Sequence, residues 1–499
     1  MAERVEDDPT ANRAGTSPVT AALPFGVKLS FGIGAIGEAV FISISNTFIM
    51  IYYNQVIGMQ ASLVGFALML ALIADAITDP VVGLLSDRHR SRLGRRHPFL
   101  WAAPLPMGLA LYAVFNPPEL VVEYTPVLFV WLALWTILSR GFVTMFNVPH
   151  LALGGELSKV PNERSQLFSL NMVFTYLAGS VFTFSVWSFF SGDRVRASDG
   201  ASVPGQLDPA AYLPVVLFVC AVVVISIWIC AAGTAKAARE LSQRREVQPE
   251  FTVAYFFKSL LSTFENRNYL ILLVGYFFFM ITSGIYNTMH VYLDTYFWEL
   301  EPGQIRWFGV VAVLAGISGA IIAPRLMRLF DRKPVMLAAL LGAVLFAQLV
   351  VDLRLLDLMP ENGDALLMPC LLANAVGFHL SIGVAGVAIY SMIGDVIDEN
   401  ELATGLREEG LFYSARAFFS KAAYSCGLLS AGIMLDLFVR FPTDAIPGEI
   451  TDGELVRLGI TAGPVMAASA FLSVFIYAMY NLNRKRHAEI IDQLAQRQA

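Results

Sequence analysis

The chain has 499 residues, of which 56% are hydrophobic and 15% charged, and its formal net charge is -6. An ordinary soluble domain carries about 25% charged residues, so these figures exclude a water-soluble globular protein and point to a polytopic membrane protein. Net charge says little about orientation, which follows the placement of Lys and Arg rather than their sum.

Residues 1–22 are polar and partly acidic, with Glu3, Glu6, Asp7 and Asp8. They lack the basic start and apolar core of a secretory signal and are expected to form a disordered cytoplasmic tail. A helix of about 20 apolar residues crosses a bilayer. Such runs predict twelve helices, near 25–53, 61–85, 98–116, 125–148, 166–190, 212–235, 267–297, 305–327, 335–353, 365–395, 409–437 and 459–482. The predicted fold class is an all-α membrane protein with twelve transmembrane helices in two six-helix halves. Some runs are longer than a bilayer needs, so tilt or extension into water is expected.

The connections alternate in charge. Ser86 to His97 is densely basic, as are Lys236 to Arg267, Arg325 to Lys333 and Arg484 to Arg486. Asn116 to Tyr124 and Asp357 to Asp364, on the other side, are poor in Lys and Arg. The positive-inside rule then places both termini in the cytoplasm. The longest basic connection, 236–266, is expected to be a cytoplasmic loop between a bundle at 23–235 and a bundle at 267–482. A cytoplasmic tail follows at 483–499. The loops at 86–97 and 325–333 fall at equivalent places and both carry an Asp-Arg pair, Asp87-Arg88 and Asp331-Arg332. Two related halves place a substrate near the midplane between them and work by rocking.

The second helix holds the strongest chemical signal. Asp75 and Asp79 interrupt an apolar run in Asp75-Ala76-Ile77-Thr78-Asp79-Pro80. Four residues apart, they share one helix face. Two anions there repel each other and resist desolvation, so a metal ion, a proton or a basic side chain must join them. The plainer reading is a buried ion-pair site with no transport role. The four cysteines lie in apolar runs without metal-ligand spacing and are expected to be buried thiols. No Walker loop, nucleotide fingerprint, zinc spacing or serine elbow stands out, so no cofactor and no enzymatic activity are expected.

Gly83-Leu84-Leu85-Ser86-Asp87-Arg88, continuing to Gly94-Arg95-Arg96, resembles the loop signature of the major facilitator superfamily. Read with the Asp75–Pro80 stretch and Ser91-Arg92-Leu93-Gly94-Arg95-Arg96-His97-Pro98-Phe99, the chain is similar to the glycoside-pentoside-hexuronide:cation symporter family, whose best-known member is melibiose permease. Lys28-Leu29-Ser30-Phe31-Gly32-Ile33-Gly34-Ala35 and Gly394-Asp395-Val396-Ile397-Asp398 resemble that family too, and the similarity runs over nearly all of the chain from Val27. The resemblance implies the major facilitator fold. It implies Asp75 and Asp79 as ligands of a coupling cation, with Thr144 assisting. Thr78 stands where the family often has Asn, which leaves Na+ at Asp75 and Asp79 against H+ open. For both threonines the plainer reading is a hydroxyl bonded to a backbone carbonyl one turn back. On the substrate side the chain departs from melibiose permease: Ala39, Asn147, Leu151 and Met172 replace polar or aromatic residues, so galactoside specificity is not carried over. The eleventh-helix Lys survives as Lys421. Around Glu409-Gly410-Leu411-Phe412-Tyr413 the chain is also similar to the vertebrate lysolipid symporters.

Other charges lie inside the spans. Arg140 is four residues before Thr144 and seven before Asn147, so the three share a face. Its guanidinium is open to pairing with Asp75 or Glu38, to clamping an anionic substrate group, or to a purely structural ion pair. Lys421 has three readings: substrate contact, a gate residue paired with a second-helix Asp, or snorkelling to the interface. Glu38, Arg140, Asn147, His150 and Lys421 are the expected substrate residues. His290 and His379 read as satisfied buried imidazoles, and Asp294 sits in an aromatic cluster that reads as an interface belt. In the basic loop, Asp87, Arg88, Arg92, Arg95 and Arg96 are gating candidates, with Glu156, Asp395 or Asp398 as partners when the pore is closed toward the cytoplasm. The arginines also set topology.

Together these readings predict a secondary transporter in a bacterial-type inner membrane, symporting a sugar or glycoside with Na+ or H+. An amphipathic lipid-like solute is the alternative, and a non-transporting sensor a further one. The expected partners are a small-molecule substrate and the lipid bilayer, with no nucleic acid; a monomer is expected.

Overall fold

A computed structural model describes residues 23–89, 91–158, 160–195, 200, 202–242 and 263–498. The expected tail 1–22, and residues 243–262 of the expected connection, lie outside the described residues. In hydrocarbon every backbone polar group must be satisfied within its own segment, which turns each long apolar run into a helix. Among the described residues, twelve helices are long and apolar enough to span a membrane. They are α1 (Phe25–Val56), α2 (Ala61–Arg88), α3 (His97–Phe115), α4 (Thr125–Leu157), α5 (Glu163–Phe189), α6 (Pro209–Arg239), α7 (Arg267–Phe297), α8 (Pro302–Phe330), α9 (Arg332–Leu355), α10 (Leu367–Thr404), α11 (Glu409–Val439) and α12 (Asp452–Ala478). Local signals fix several ends. Capping boxes start α8 at Glu301 and Gln304 and α12 at Thr451 and Glu454, and Gly405, with φ 78°, ends α10.

Several expected boundaries move. The fourth span continues past 148 to Leu157, and the tenth past 395 to Thr404. The twelfth begins at Asp452 rather than 459. The helix of α6 continues through Ser242, so the expected connection at 236–266 begins helical. Its Ala, Lys, Arg and Glu residues favour helix once the chain has left the lipid. The expected tail at 483–499 holds another helix, α13 (Arg484–Gln498). It docks on the C-terminal half through Ile490, which is almost fully buried, and through His487, whose Nε2 lies 2.9 Å from Asp398. Of the cysteines expected to be buried, Cys230 is, Cys220 and Cys426 are half-buried, and Cys370 is exposed.

Helices α1–α6 and α7–α12 form the two halves, and the main seams between them are α2 on α11 and α5 on α8. The basic loops 86–97 and 325–333 define one end of the molecule; the other is called here the far end. Both seams are tightest at the far end. A Cβ on Gly432 of α11 would lie 2.3 Å from the Ala61 carbonyl oxygen of α2, so only glycine permits that approach. At the other seam a Cβ on Gly309 would lie 2.7 Å from Thr183.

The halves repeat in sequence as well. Asn46-Thr47 in α1 recurs as Asn287-Thr288 in α7. Both helices then end in a π-helical turn, Tyr52–Val56 and Leu293–Phe297. Met59 N donates to the Tyr53 carbonyl at 2.8 Å, and Leu300 N donates to that of Asp294 at 2.9 Å. The two turns are the same construction, built 241 residues apart.

Candidate functional site

Helix α2 organises the site along its length. Near its start it is sealed against α11; its middle carries Asp75 and Asp79; its last turns line a cavity. Pro80 follows Asp79 directly and has no N–H to give to the carbonyl of Ala76. The helix therefore offers an unclaimed backbone acceptor beside the two carboxylates.

Lys421 of α11 bridges both carboxylates, with Nζ 2.9 Å from Asp75 Oδ2 and 2.6 Å from Asp79 Oδ2. Thr144 of α4 completes the cluster: its Oγ1 lies 2.5 Å from Asp75 Oδ1 and 3.0 Å from Asp79 Oδ1. One hydroxyl proton serves both oxygens in turn. Asp75 is 4% exposed, whereas Asp79 and Lys421 each keep about a third of their side chains accessible, at 32% and 31%. Glu38 of α1 accepts a hydrogen bond from Asn147 Nδ2 and stands close enough for the charges of Lys421, Asp75 and Asp79 to act on it. One ammonium thus faces three carboxyl groups. Fully ionised, the cluster would be doubly negative in a membrane-embedded site, and such an excess is costly.

Below the cluster, toward the basic end, lies a cavity of about 330 Å³ between the halves. Asp79, Pro80 and Asp87 of α2, Val148 of α4, and Ser414 and Phe418 of α11 line it. Toward the far end the path is shut. Asp436 of α11 accepts hydrogen bonds from the Ala61 and Ser62 amides at 3.1 and 2.7 Å, capping the start of α2 across the seam. Tyr292 OH donates to Asn54 Oδ1 at 2.7 Å, and Tyr296 OH donates to Gln55 Oε1 at 3.0 Å. The structure is closed at the far end and open toward the basic end.

Some expected site residues converge here and others do not. Asp75, Asp79, Thr144, Lys421, Glu38 and Asn147 come together. Thr78 does not: its hydroxyl donates to the Asp75 backbone carbonyl at 3.1 Å, the plainer of its two readings. Arg140 pairs with neither Asp75 nor Glu38; its Nη2 donates to Asn46 Oδ1 at 3.0 Å, one turn farther toward the sealed end. His150, expected at the substrate, is fully buried in the N-terminal half. Its ring stacks on Phe31 and Phe146, and its nitrogens face Asn171 and Cys230. The face it shares with Asn147 turns inward at that depth, toward α1, α5 and α6.

The gating candidates pair within their own halves. Arg96 bonds Asp87 and Glu156, the latter at 3.0 Å, and Arg95 reaches Glu156 at 3.3 Å. Arg88 and Arg92 are exposed. Asp395 pairs with Arg332 at 2.9 Å, and Asp398 with Arg407 and His487. Pairing of the 86–97 arginines with Asp395 or Asp398 is expected with the basic end closed; in this structure, with that end open, each cluster finds its cation on its own side. Asp294, expected in an interface belt, is buried and paired with His290 at 2.8 Å.

Sequence reasoning missed the far-end seal. Asn54-Gln55, two consecutive amides in an apolar run, and Asp436 just before the end of a span were its signals.

The family model for MFS/sugar transport protein matches residues 30–484. The uncharacterized symporter sll1374 of Synechocystis sp. is 25% identical, over 95% of this chain and 97% of its own length. The putative glycoside/cation symporter YagG of Escherichia coli is 24% identical over 95% of each chain. The putative sulfoquinovose importer of Escherichia coli is 23% identical over 96% of each. Among solved structures, the D-xylose-proton symporter superposes with a TM-score of 0.62 at 11% identity, covering 92% of this chain and 98% of its own. The nucleoside transporter NupG (D323A mutant) superposes with a TM-score of 0.60 at 12% identity, covering 91% and 100%. The chain belongs to the MFS/sugar transport family: it is a multi-pass membrane protein with the major facilitator fold, a secondary transporter and not an enzyme.

Proposed function

We propose that this member of the MFS/sugar transport family is a cation-coupled symporter of a sugar or glycoside, working by alternating access. The observation that carries the reading is the bridge from Lys421 to Asp75 and Asp79 at the head of the cavity. One ammonium from the C-terminal half stands where a Na+ or H+ would sit among carboxylates of the N-terminal half. The Asp75 and Asp79 oxygens, the Thr144 hydroxyl and the Ala76 carbonyl freed by Pro80 suit a hard monovalent cation. A proton on Asp79 would serve equally.

The cycle follows from charge. Cation entry from either side displaces Lys421 from the dyad and frees it for a substrate hydroxyl or anionic group, with Glu38 and Asn147 as further partners. The loaded cluster carries less excess charge and is cheaper to occlude. Coupling is then reciprocal: cation tightens substrate and substrate tightens cation. Rocking breaks the Asp436, Tyr292 and Tyr296 contacts at one end and closes the cavity at the other. The positive-inside rule, applied to the basic loops, supports a cytoplasmic open end and cytoplasmic termini. The glycoside/cation symporter and sulfoquinovose importer among the relatives favour a sugar-like substrate. The apolar part of the cavity wall, Ala76, Leu84, Val148 and Phe418, favours a second reading, an amphipathic solute.

Uptake into reconstituted vesicles, scanned over glycosides and lysolipids under imposed sodium or pH gradients, tests both. Gradient-driven accumulation of a glycoside is expected. Accumulation of lysolipid alone would select the second reading, and no flux under any gradient would refute transport.

A further inference from the structure

The interior of the C-terminal bundle holds a chamber that the route between the halves does not use. Helices α7, α8, α9, α10 and α12 line it near the far end, and its volume is about 40 Å³. A water molecule needs about 10–15 Å³ of such space, so the chamber has room for a few. At Tyr286, Ala347 and Met466 it adjoins a mostly apolar pocket deeper in the bundle.

One wall of the chamber is ionisable. His290 Nδ1 and Asp294 Oδ2 are 2.8 Å apart, and Asp294 is 5% exposed. The His290 side chain is 32% accessible although helices surround it, so what it faces is the chamber. Across from the pair, Asn374 donates to the Phe346 carbonyl at 2.8 Å and leaves its own Oδ1 buried without a partner. With the His290–Asp294 pair, Asn374 gives the chamber polar wall residues and room for water.

The ligand this donor set fits is a proton. Among the described residues no three His, Cys, Asp or Glu side chains gather to hold a metal ion. A protonated His290 against Asp294 is neutral overall, whereas loss of that proton leaves an unpaired carboxylate in an apolar bundle. The other groups facing the pair are few. On α7 it is Tyr286, and on α10 His379 is close enough for its charge to act. Helix α8 presents Phe308, while Arg306 turns to Ser188 and Phe184 of α5. Helices α9 and α12 line the chamber without titratable groups, and Asp352 turns toward Gly463.

The pair also sits on the segment that seals the far end. Its residues alternate with Tyr292 and Tyr296, which cross to Asn54 and Gln55 of the N-terminal half. We propose that His290 and Asp294 form a second proton-binding site, separate from the Asp75 and Asp79 cluster, and that its proton holds the far-end seal closed. When the proton leaves, the lone carboxylate draws water into the chamber. The π-helical turn Leu293–Phe297 loosens, and the two tyrosines release their amides.

Spin labels at exposed far-end positions Leu120 and Leu358 of the full-length protein report the opening as a distance. Between pH 5 and 9, without substrate or sodium, the open fraction should rise threefold or more. Asp294→Asn, which cannot become an anion, should hold the open fraction low across that range. Nitrogen NMR of His290 in the wild type should titrate with the same midpoint as the opening, a readout that needs no variant to fold. A wild-type pH profile in Asp294→Asn, or a His290 ring that does not titrate over this range, overturns the proposal. Because both measurements are made without solute or sodium and are read against the His290 ring rather than Asp79, such a failure leaves the transport reading intact.

Discussion

The two halves share a backbone plan and divide the chemistry. At the far end of α1, the turn Tyr52–Val56 closes on a dry aromatic core: Tyr53 OH donates to the Val114 carbonyl and Tyr52 OH to that of Phe115, each at 2.7 Å. At the matching place in α7, Asp294 stands where α1 has Tyr53 and His290 where it has Ile49, and they border a chamber instead of filling it. The charge is divided as unevenly. The N-terminal half supplies the carboxylates Glu38, Asp75 and Asp79, and the C-terminal half answers with Lys421 alone. A duplicated fold thus provides two rigid arms. On the proposed reading, asymmetric substitution makes one arm the holder of the cation and the other its competitor.

The comparison is broken most severely by neutralising the holder. Asp79→Asn should reduce gradient-driven accumulation by roughly a hundredfold or more, to the level of passive equilibration, while the protein still folds. That scale reflects loss of a charge-assisted contact in a desolvated site, and vesicle uptake under an imposed gradient reads it. Next in size is the seam. Gly432→Val places a side chain against the Ala61 carbonyl, and the far end should stay ajar, with overpacking worth about 1–3 kcal/mol. Accessibility of a cysteine at Ser62 to a membrane-impermeant thiol reagent should rise correspondingly.

A smaller effect is expected at the trans cap. Asp436→Ala removes the acceptor for two amides at the start of α2, and a lost cap costs about 1 kcal/mol. A shift of roughly fivefold toward the far-end-open state follows, measurable as a distance distribution across the seam. The smallest change sharpens the contrast between the arms. Tyr53→Phe, in the dry half, should cost about 1 kcal/mol of stability and leave the pH dependence of opening unchanged. Thermal unfolding in detergent and the spin-label titration read the two parts separately.

The sequence made the spans legible because apolar length is a property of one segment at a time. The pair Asp75 and Asp79 was legible for a similar reason: spacing along one helix settles which face they share. Thr144 came through resemblance, and the structure turns its hydroxyl to both carboxylates. What stayed hidden depends on contacts between distant segments. Lys421 and Asp79 are 342 residues apart, and no periodicity says which of three roles the lysine takes. His150 was misplaced because a helical face gives direction but not the neighbour met at that depth. The partners of Asp395 and Asp398 depend on which end is open, a property of a state and not of a sequence. Helix α13 was missed because a mostly polar run reads as a tail until Ile490 finds a groove.

Central to this account is the claim that Lys421 competes with the coupling cation for Asp75 and Asp79. Its most direct test is cation binding to purified protein, by calorimetry for Na+ and by proton uptake after a pH jump for H+, in the wild type, Lys421→Ala and Asp79→Asn. Competition predicts that Lys421→Ala binds the cation about tenfold or more tightly, a difference of about 1.4 kcal/mol, and that Asp79→Asn loses the binding. Equal affinity in all three proteins would contradict it.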